Sequence, residues 1–393
     1  MRMSAYFGVS AGFTIGRVLP QAVLTPILLE KGLRFDTIIW TQLIYMVVLT
    51  VTQFPAGLLA DRYSRKRLYV LSILVVGVAY SIIWCGDGLA AMCSAWAIYA
   101  LGMALNGSTM DIHFATLLRE DDQAFRRFFV VDRNVVLCAT IASASATTVL
   151  YPLVASDVYV LSVALFVGSA VWGAFCLPET AVVRRSRMEP PPRLLASLRE
   201  DRYIVSAVLL VALTQLAFTP FFQMWQMVFL DSGLTAAWFG LIFVLFQCVN
   251  IAANAAWRRL PHRTWMSPAL LCLIALIGCG IVAFDSLIRV LLVVILPFPL
   301  FLYSNSLVFS LQTRAPAALL SSMNALMGTG NTIGAFLMLG LSLLGLQVFT
   351  PGMLLGISLI VCAVASVALL TGSMVARNLR RRALRSTEPD HTR

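Results

Sequence analysis

Five ionisable side chains stand inside or beside long apolar stretches of the sequence, and their types are those that bind ions or protons. They are Arg17, Asp111, His113, Asp132 and Arg133. Such a group facing lipid costs at least about 2.5–3.5 kcal/mol, so it usually faces a protein interior or a water-filled path. A carboxylate can carry a proton, a histidine titrates near neutral pH, and an arginine binds anions. These residues therefore predict ion, proton or solute binding within a membrane.

Arg17 is the most unusual of these charges because it lies near the middle of the apolar run 5–29. In one role it holds an anionic group of a small molecule, or sets the electric field around a proton-binding carboxylate. In the other role it forms a structural ion pair or caps backbone carbonyls. The sequence leaves both roles open.

Asp111 and His113 lie in the apolar run 89–117 and are the candidates for a proton site. Asp111 and Arg17 differ in depth by roughly 12 Å of helix, so a direct pair between them is not expected. Arg133 and Asp132 are closer in depth to Asp111. An Asp111–Arg133 pair is therefore the better prediction, and a purely structural role for that pair stays open.

The second half of the sequence has no comparable embedded charge, but it is rich in neutral polar and aromatic residues. Aromatic rings with a few neutral polar groups suit an amphipathic organic molecule. Ordinary helix packing and lipid contact are the alternative for each ring. The candidate cavity residues of the whole chain are Gln21, Asn106, Gln223, Trp225, Gln247 and Asn305.

The composition shows which elements must position these residues. Of the 393 residues, 60% are hydrophobic and 12% are charged, and the mean hydropathy is +0.86. Soluble proteins are about a quarter charged, so a soluble enzyme and a disordered chain are both excluded. A helix of about 20 apolar residues spans a bilayer. The sequence predicts twelve such helices, at 5–29, 38–60, 68–85, 89–117, 128–151, 157–178, 203–229, 234–257, 265–284, 287–311, 319–345 and 349–375.

The predicted helices fall into two groups of six, which makes this an all-α polytopic membrane protein with two pseudo-repeats. At a constant offset of 193 residues, Asn254 and Arg258, around the end of the eighth run, correspond to Asp61 and Arg65, which follow the second. Prolines at 20, 220, 297 and 299 predict bends or interruptions within the helices. The predicted domains are an N-terminal six-helix bundle (1–178), a cytoplasmic linker (179–202), a C-terminal six-helix bundle (203–376) and a basic tail (377–393).

The net charge of +11 comes from basic residues that concentrate in alternate links between the runs. Cytoplasmic loops collect Lys and Arg, so both termini are expected in the cytoplasm. The charge reflects topology, and we expect no nucleic-acid partner. The basic loops and tail are expected to contact anionic lipid headgroups. The eight cysteines include no CxxC motif and predict neither a disulfide framework nor a metal site.

The link after the second run carries a recognisable motif from Gly57 to Arg67. It resembles the loop signature of the major facilitator superfamily, GxxxD(R/K)xGR(K/R), with Ser64 in place of the second glycine. The matching residues are Gly57, Asp61, Arg62, Arg65 and Lys66. The Leu177-Pro178-Glu179-Thr180 ending of the sixth run is also similar to members of that superfamily. The N-terminal half looks most like small bacterial drug-efflux-type permeases, although residues 140–148 lack the Gly-Pro-rich motif usual in drug:proton antiporters.

The resemblance implies the major facilitator fold and a role for the signature as a conformational latch at a cytoplasmic gate. Asp61 would meet the start of the eleventh run, Ser321–Asn324, where a helix N-terminus favours an anion. Arg65 would pair with Glu120, Asp121 or Asp122. In the alternative interpretation, the basic residues only hold topology and contact lipid.

Together these features predict a secondary active transporter that exports small amphipathic, drug-like compounds by proton antiport and alternating access. The alternative is a transporter of a specific metabolite, in which Arg17 would anchor an anionic group of the substrate. A third class, an intramembrane enzyme or a non-transporting receptor, lacks support because the sequence has no HExxH, nucleophile elbow or P-loop. We expect no cofactor, with a proton gradient as the energy source, and a small-molecule substrate. We also expect the protein to be a monomer that crosses the bacterial inner membrane several times. The scarcity of lysine, limited to Lys31 and Lys66, favours a bacterial source.

Overall fold

A computed structural model of the chain describes residues 3–107, 109–118, 122–179, 202–259, 266–285, 287–314 and 320–387. This described part consists of helices and short connections, without a strand. Within it, nine helical segments are long and apolar enough to cross a membrane by length and composition. The predicted all-helical membrane fold is confirmed. The number twelve and the cytoplasmic position of both termini stay predictions.

The helices are numbered in chain order. In the first half of the described chain they are α1 (Met3–Val18), α2 (Leu24–Glu30), α3 (Phe35–Arg62), α4 (Arg65–Cys85), α5 (Gly88–Asn106), α6 (Met110–Leu117), α7 (Asp122–Val154) and α8 (Val158–Cys176). In the second half they are α9 (Arg202–Asp231), α10 (Phe239–Arg259), α11 (Met266–Ala283), α12 (Leu287–Ile295), α13 (Pro297–Arg314), α14 (Leu320–Gly345) and α15 (Pro351–Thr387).

Tight turns separate successive helices because glycines and capping residues stop them. Gly32 follows α2 with a φ of +81°, and Gly88 begins α5 with a φ of +78°. Glycine adopts this left-handed backbone readily because it has no Cβ. At the start of α4, the Ser64 hydroxyl accepts a hydrogen bond from the Arg67 backbone N–H at 3.5 Å, which is the usual N-cap arrangement.

The first apolar run forms one candidate span, Met3–Glu30, but its helix is broken. α1 ends at Val18 and α2 begins at Leu24, with Pro20 and a short 3-10 turn over Gln21–Val23 between them. Proline lacks an N–H and its ring displaces the preceding helical turn, so nearby carbonyls lose their partners. The helix therefore breaks at Pro20, where the sequence predicts a bend.

The fourth run, expected as one helix over 89–117, is divided. α5 ends at Asn106 and the short helix α6 begins at Met110. Gly107 is a poor helix former, and the Thr109 hydroxyl donates a hydrogen bond to the freed Asn106 carbonyl at 2.7 Å. A single helix over this run is therefore wrong, and Asp111 and His113 belong to a separate element.

The other prolines have different effects. α12 ends at Ile295 and α13 begins at Pro297, so the predicted interruption of the tenth run is confirmed. Pro220 lies inside α9, which continues through it without a break. At the C-terminus, α15 continues to Thr387 and includes much of the basic tail. Its Ala, Leu and Arg residues favour helix, and they extend a helix that has already formed.

Contacts divide the chain into two compact units. The first comprises Met1–Met188 together with Gln226–Cys248, and the second comprises Glu189–Trp225 together with Val249–Arg393. α9 and α10 therefore each contribute residues to both units. The predicted domain boundaries and the linker over 179–202 stay predictions, since nearly all of that linker and the short helix expected within it lie outside the described residues.

Small residues allow the helices of each unit to approach closely, as is usual in membranes. In the first unit, a Cβ on Gly102 of α5 would lie 2.7 Å from Val76 Cγ2 of α4. In the second unit, Gly278 of α11 faces Gly356 of α15, and a Cβ on Gly278 would lie 2.8 Å from the Gly356 carbonyl oxygen. A larger residue at either crossing would push the helices apart.

Candidate functional site

The most distinctive polar group of the first unit is Arg17, on the last turn of α1. Its side chain is half-buried, and its guanidinium lies beside the Tyr99 hydroxyl, with Tyr80 and Tyr45 close enough to interact electrostatically. Its Nε is buried and has no hydrogen-bond partner among the described residues. No acidic side chain in that part of the chain forms an ion pair with it.

Three tyrosines from three helices lie near this guanidinium: Tyr45 of α3, Tyr80 of α4 and Tyr99 of α5. Trp96 of α5 packs against Tyr45 and Tyr99, and we call these four aromatic residues the tyrosine cage. The rings of Tyr45 and Tyr99 stack with centroids 5.4 Å apart, and Trp96 meets Tyr99 edge-on at the same distance. Tyr80 lies 5.8 Å from Tyr99. Trp96 is only 8% exposed, and its indole Nε1 also lacks a partner among the described residues.

The electrostatics of this site favour an anion. A buried donor without a partner costs free energy, and a buried cation without a counter-ion costs more. Arg17 and Trp96 supply donors that the described protein leaves unused, while tyrosine hydroxyls can donate or accept. A planar carboxylate or phosphate matches the geometry of a guanidinium. The structural ion pair considered for Arg17 is not formed within the described residues.

The backbone around Arg17 is held in place from several sides because the helix break frees its carbonyls. The Tyr80 hydroxyl donates to the Arg17 carbonyl at 2.9 Å. From α7, Ser143 donates to the Ile15 carbonyl at 2.8 Å and Thr147 to the Leu19 carbonyl at 2.6 Å. These hydrogen bonds hold the backbone of α1 in place at Arg17 and on either side of it.

The proton candidates occupy the opposite end of this unit. Asp111 lies on α6, with its side chain outside the described residues. His113 is half-buried, packs its ring 5.4 Å from that of Phe114, and lies within electrostatic reach of Arg65. The Asp111–Arg133 pair stays a prediction, and Arg133 itself is exposed.

Of the two carboxylates Asp111 and Asp132, only Asp132, on α7, has a side chain that the structure describes. Its side chain is half-buried beside Tyr6 of α1, and its Oδ1 is buried without a partner among the described residues. Tyr6 packs in turn against Phe114 and Phe128, with ring centroids 5.1 and 5.7 Å away. An aromatic pocket with one carboxyl group can hold a proton.

The loop signature forms the turn between α3 and α4. The side chains of Asp61 and Arg62 lie outside the described residues. So do those of 321–324, the expected partners of Asp61, and of 120–122, the expected partners of Arg65. Gly57 has open space where a Cβ would point. Arg65 begins α4, and Lys66 forms an ion pair with Glu179 at 3.2 Å, which joins the signature to the motif that follows α8.

The structure divides the six cavity candidates between the two units. In the first, Gln21 is exposed, Gln247 is half-buried, and Asn106 donates to the Ser72 hydroxyl of α4 at 3.2 Å. In the second, Gln223 is half-buried, Trp225 is buried, and Asn305 donates to the Asn254 side chain at 2.6 Å. Asn106 and Asn305 therefore link helices.

The second unit contains an aromatic platform of Phe218, Phe222 and Phe301. Phe218 and Phe222 stack nearly parallel with centroids 6.0 Å apart, and Phe301 lies 5.6 Å from Phe218. Beside it, Gln215 donates to the Asn331 side chain at 3.0 Å. The platform offers flat apolar surface and neutral polar groups.

Sequence reasoning identified Arg17 but missed the tyrosine cage. Trp96 and Tyr99 are spaced to share one face of α5, which was a usable signal. Tyr45 and Tyr80 come from other helices, and nothing in their spacing relates them to Arg17. Gln226 was one of the neutral polar residues noted in the second half but was not a cavity candidate; its Oε1 accepts a hydrogen bond from the Thr25 N–H at the α1–α2 break, at 2.7 Å.

Comparison with known proteins agrees with this architecture. The sequence model of the Major Facilitator Superfamily matches residues 3–339. The fold is similar to the crystal structure of the nucleoside transporter NupG, with a TM-score of 0.71, 12% identity, and coverage of 94% of this chain and 98% of that chain. It is also similar to the POT family transporter PepTSo, with a TM-score of 0.72, 11% identity and coverage of 95% and 98%.

A third similar structure is a bacterial homologue of the iron transporter ferroportin, with a TM-score of 0.69, 13% identity and coverage of 92% and 98%. These identities are low, so the likeness shows the fold alone. No curated relative matches the chain by sequence. Because the family match extends over most of its length, the chain belongs to the Major Facilitator Superfamily and is a membrane transporter, not an enzyme.

Proposed function

We propose that this transporter is a secondary active carrier that works by alternating access and binds a small organic anion with a planar apolar part. The observation that supports this proposal is the Arg17 guanidinium, half-buried in the tyrosine cage without an acidic partner among the described residues. Arg17 provides the charge that an anionic head would neutralise. The cage provides aromatic faces for the rest of the molecule.

A bound anion would satisfy the donors that the described protein leaves unused. A carboxylate can accept hydrogen bonds from the guanidinium, and charge-assisted hydrogen bonds are about twice as strong as neutral ones. A neutral molecule of the same shape would leave Arg17 without its counter-ion. The site should therefore discriminate by charge first and by ring size second.

The experiment uses three probes of matched shape: 2-naphthoate, 2-naphthamide and 2-naphthylmethylamine. Binding to the purified full chain in lipid nanodiscs is measured for wild type, Arg17→Gln and Arg17→Lys. Arg34→Gln is the control, because Arg34 is a basic residue with an 86% exposed side chain. We expect wild type to prefer the carboxylate, and Arg17→Gln to weaken its binding at least about tenfold.

The same probes show whether the proposal is wrong. Arg34→Gln should bind the carboxylate as wild type does, and Arg17→Lys should fall between wild type and Arg17→Gln, because lysine keeps the charge but loses the planar fork. Equal binding of carboxylate and amide by wild type, or unchanged carboxylate binding by Arg17→Gln, would rule out the anion site.

A second candidate function is the export of amphipathic, drug-like compounds by proton antiport. The aromatic platform of the second unit favours it, since Phe218, Phe222 and Phe301 could receive a flat apolar molecule of either charge. Asp111, His113 or Asp132 would then carry the proton. A lipophilic cationic dye whose efflux from proteoliposomes follows an imposed pH gradient, with or without Arg17, would favour this function.

For either function, the sequence favours a particular membrane and a particular orientation of the chain within it. The basic loops favour a multi-pass protein with both termini in the cytoplasm and contacts to anionic headgroups. The composition favours the bacterial inner membrane, and we propose that the transporter works there as a monomer. Alkaline phosphatase fused after Arg393 should be inactive in a bacterial host if that terminus is cytoplasmic, and an active fusion would reverse the orientation.

A further inference from the structure

Two hydroxyl groups in the core of the second unit have no hydrogen-bond partner in the described part of the chain. They belong to Tyr303 of α13, which is 2% exposed, and to Ser366 of α15, which is 0% exposed. A buried hydroxyl without a partner costs free energy, because it has lost its hydrogen bonds to water. Buried tyrosines usually have such a partner. These two groups therefore call for a partner that the described residues do not supply.

Ser366 differs in this respect from other buried serines of the second unit. Ser306, Ser342 and Ser358 each donate a hydrogen bond to a carbonyl of their own helix, at 2.7–2.8 Å. Such a bond satisfies the hydroxyl without help from a neighbouring helix. Ser366 forms no bond of this kind within the described residues. Its hydroxyl is therefore left for a contact in the space between helices.

Cys362 brings a third polar group to the same place. It lies one turn before Ser366 on the same face of α15 and is 1% exposed. Its thiol donates a hydrogen bond to the Leu213 carbonyl of α9 at 3.2 Å, and its sulfur remains a weak acceptor. The Ser366 side chain lies beside both the Cys362 thiol and the Tyr303 hydroxyl. We call Tyr303, Cys362 and Ser366 the buried polar triad.

The triad is neutral and closed to solvent, which limits the ligand that it can hold. Tyr303 and Ser366 lie near each other without a direct hydrogen bond, so a small group between them can bond to both. Three neutral side chains offer a bare ion too little to replace its hydration. Side chains at most 2% exposed leave no entrance for an organic molecule. A buried water, by contrast, typically makes about three hydrogen bonds to polar groups that would otherwise be unsatisfied.

We propose that the buried polar triad is a binding site for one water molecule. The water accepts hydrogen bonds from the Tyr303 and Ser366 hydroxyls and donates one to the Cys362 Sγ. Because the thiol donates in turn to the Leu213 carbonyl, the water completes a chain of hydrogen bonds that joins α13 and α15 to α9. The site lies within the second unit, and it does not depend on the anion that we propose for Arg17.

The test combines a structure with equilibrium unfolding of the full chain in mixed micelles of dodecyl maltoside and sodium dodecyl sulfate. An experimental structure in which ordered water is visible should show density within hydrogen-bond distance of Tyr303 Oη and Ser366 Oγ. The unfolding variants are Tyr303→Phe, Ser366→Ala and Cys362→Ala, alone and in pairs. Ser358→Ala is the matched control, because that buried hydroxyl of α15 donates to the Leu355 carbonyl at 2.7 Å.

Each triad variant should raise the unfolding equilibrium constant by about fivefold, because it removes a hydrogen bond to the water. Tyr303→Phe and Cys362→Ala should be coupled, since both act on the same water, so the double variant should lose less stability than the two single effects predict. Tyr303→Phe and Ser358→Ala should be additive.

Three results would overturn the proposal. A Tyr303→Phe variant at least as stable as wild type would show that the hydroxyl has no partner to lose. Additive effects of Tyr303→Phe and Cys362→Ala would show that the two side chains share no ligand. A direct hydrogen bond between Tyr303 and Ser366 in the experimental structure, without density for water, would show that the protein satisfies both hydroxyls by itself.

Discussion

Lys66 and Glu179 form an ion pair at 3.2 Å that joins the loop signature to the end of α8. The lysine is 11% exposed at its side chain, whereas the glutamate is 66% exposed. The resemblance to the superfamily marks both residues by their motifs, but the pairing between them is a finding of the structure. It assigns Lys66 a local structural role beside α8.

We expect this ion pair to stabilise the first unit only modestly, because water screens the glutamate. Lys66→Met should lower the free energy of unfolding by about 0.5–1 kcal/mol, with a loss that shrinks at high salt. Thermal unfolding of the full chain in detergent measures it. The charge-swapped double variant Lys66→Glu/Glu179→Lys should recover part of the loss. No recovery, together with a salt-independent loss, would contradict an ion pair as the cause.

The tyrosine cage predicts a specific effect of one hydroxyl. Tyr99→Phe removes the hydroxyl beside the Arg17 guanidinium and leaves the ring packing intact, so affinity for 2-naphthoate should fall by about fivefold, or roughly 1 kcal/mol. Melting temperature should stay close to that of wild type. The control is Tyr63→Phe, at an exposed residue next to the loop signature. Equal effects of the two variants on the affinity would show that the Tyr99 hydroxyl takes no part in binding the anion.

The close contact between α11 and α15 at Gly278 predicts that a glycine-to-alanine substitution lowers stability there but not at a glycine with open space around it. Gly278→Ala places a Cβ 2.8 Å from the Gly356 carbonyl oxygen and should destabilise the chain by about 1–3 kcal/mol. Gly372→Ala, also in α15, meets no atom within 4 Å and should be neutral or slightly stabilising, because alanine favours helix. Thermal unfolding of both variants gives the comparison. A stable Gly278→Ala would show that the two helices can separate without cost.

Proton coupling gives a prediction with two carboxylates. The sequence favours Asp111, and the half-buried Asp132, with an Oδ1 that lacks a partner among the described residues, is the second candidate. At least one of Asp111→Asn and Asp132→Asn should lose flux driven by a pH gradient while keeping gradient-free exchange of the probe. Flux is measured in proteoliposomes, with Asp36→Asn as the control, because the Asp36 side chain is 42% exposed. If flux follows the gradient in both variants, neither carboxylate carries the proton.

The helix breaks show how far sequence reasoning reached into the fold. Pro20 and Pro297 marked real interruptions, because a missing N–H acts locally and can be read from the residue type. The break after Asn106 was not predicted, because glycine, although a poor helix former, is frequent within membrane helices, and whether it ends one depends on packing. Asp111 and His113 therefore lie on the short helix α6, and not within one long membrane-spanning helix as predicted.

The site shows the same limit. Arg17 was identified because a charge within an apolar run is costly wherever the run lies. Its neighbours Tyr45, Tyr80 and Tyr99 were not identified, because lipid solvates apolar side chains on every face of a helix. The hydrophobic pattern therefore does not show which face of a membrane helix is interior. Gln226 was noted only as one of several neutral polar residues, because a single glutamine acquires a specific role only beside the broken backbone of Gln21–Thr25.

The sequence by itself determined the membrane class, the helical architecture and the unusual charge at Arg17, because these follow from hydropathy and from the cost of a charge in lipid. Only the tertiary structure decided what meets that charge. Helices far apart in sequence bring Tyr45, Tyr80 and Tyr99 to Arg17 and bring Gln226 to the helix break. Such contacts depend on which helix faces pack together, and packing between apolar helices is set by shape, which residue type alone does not specify.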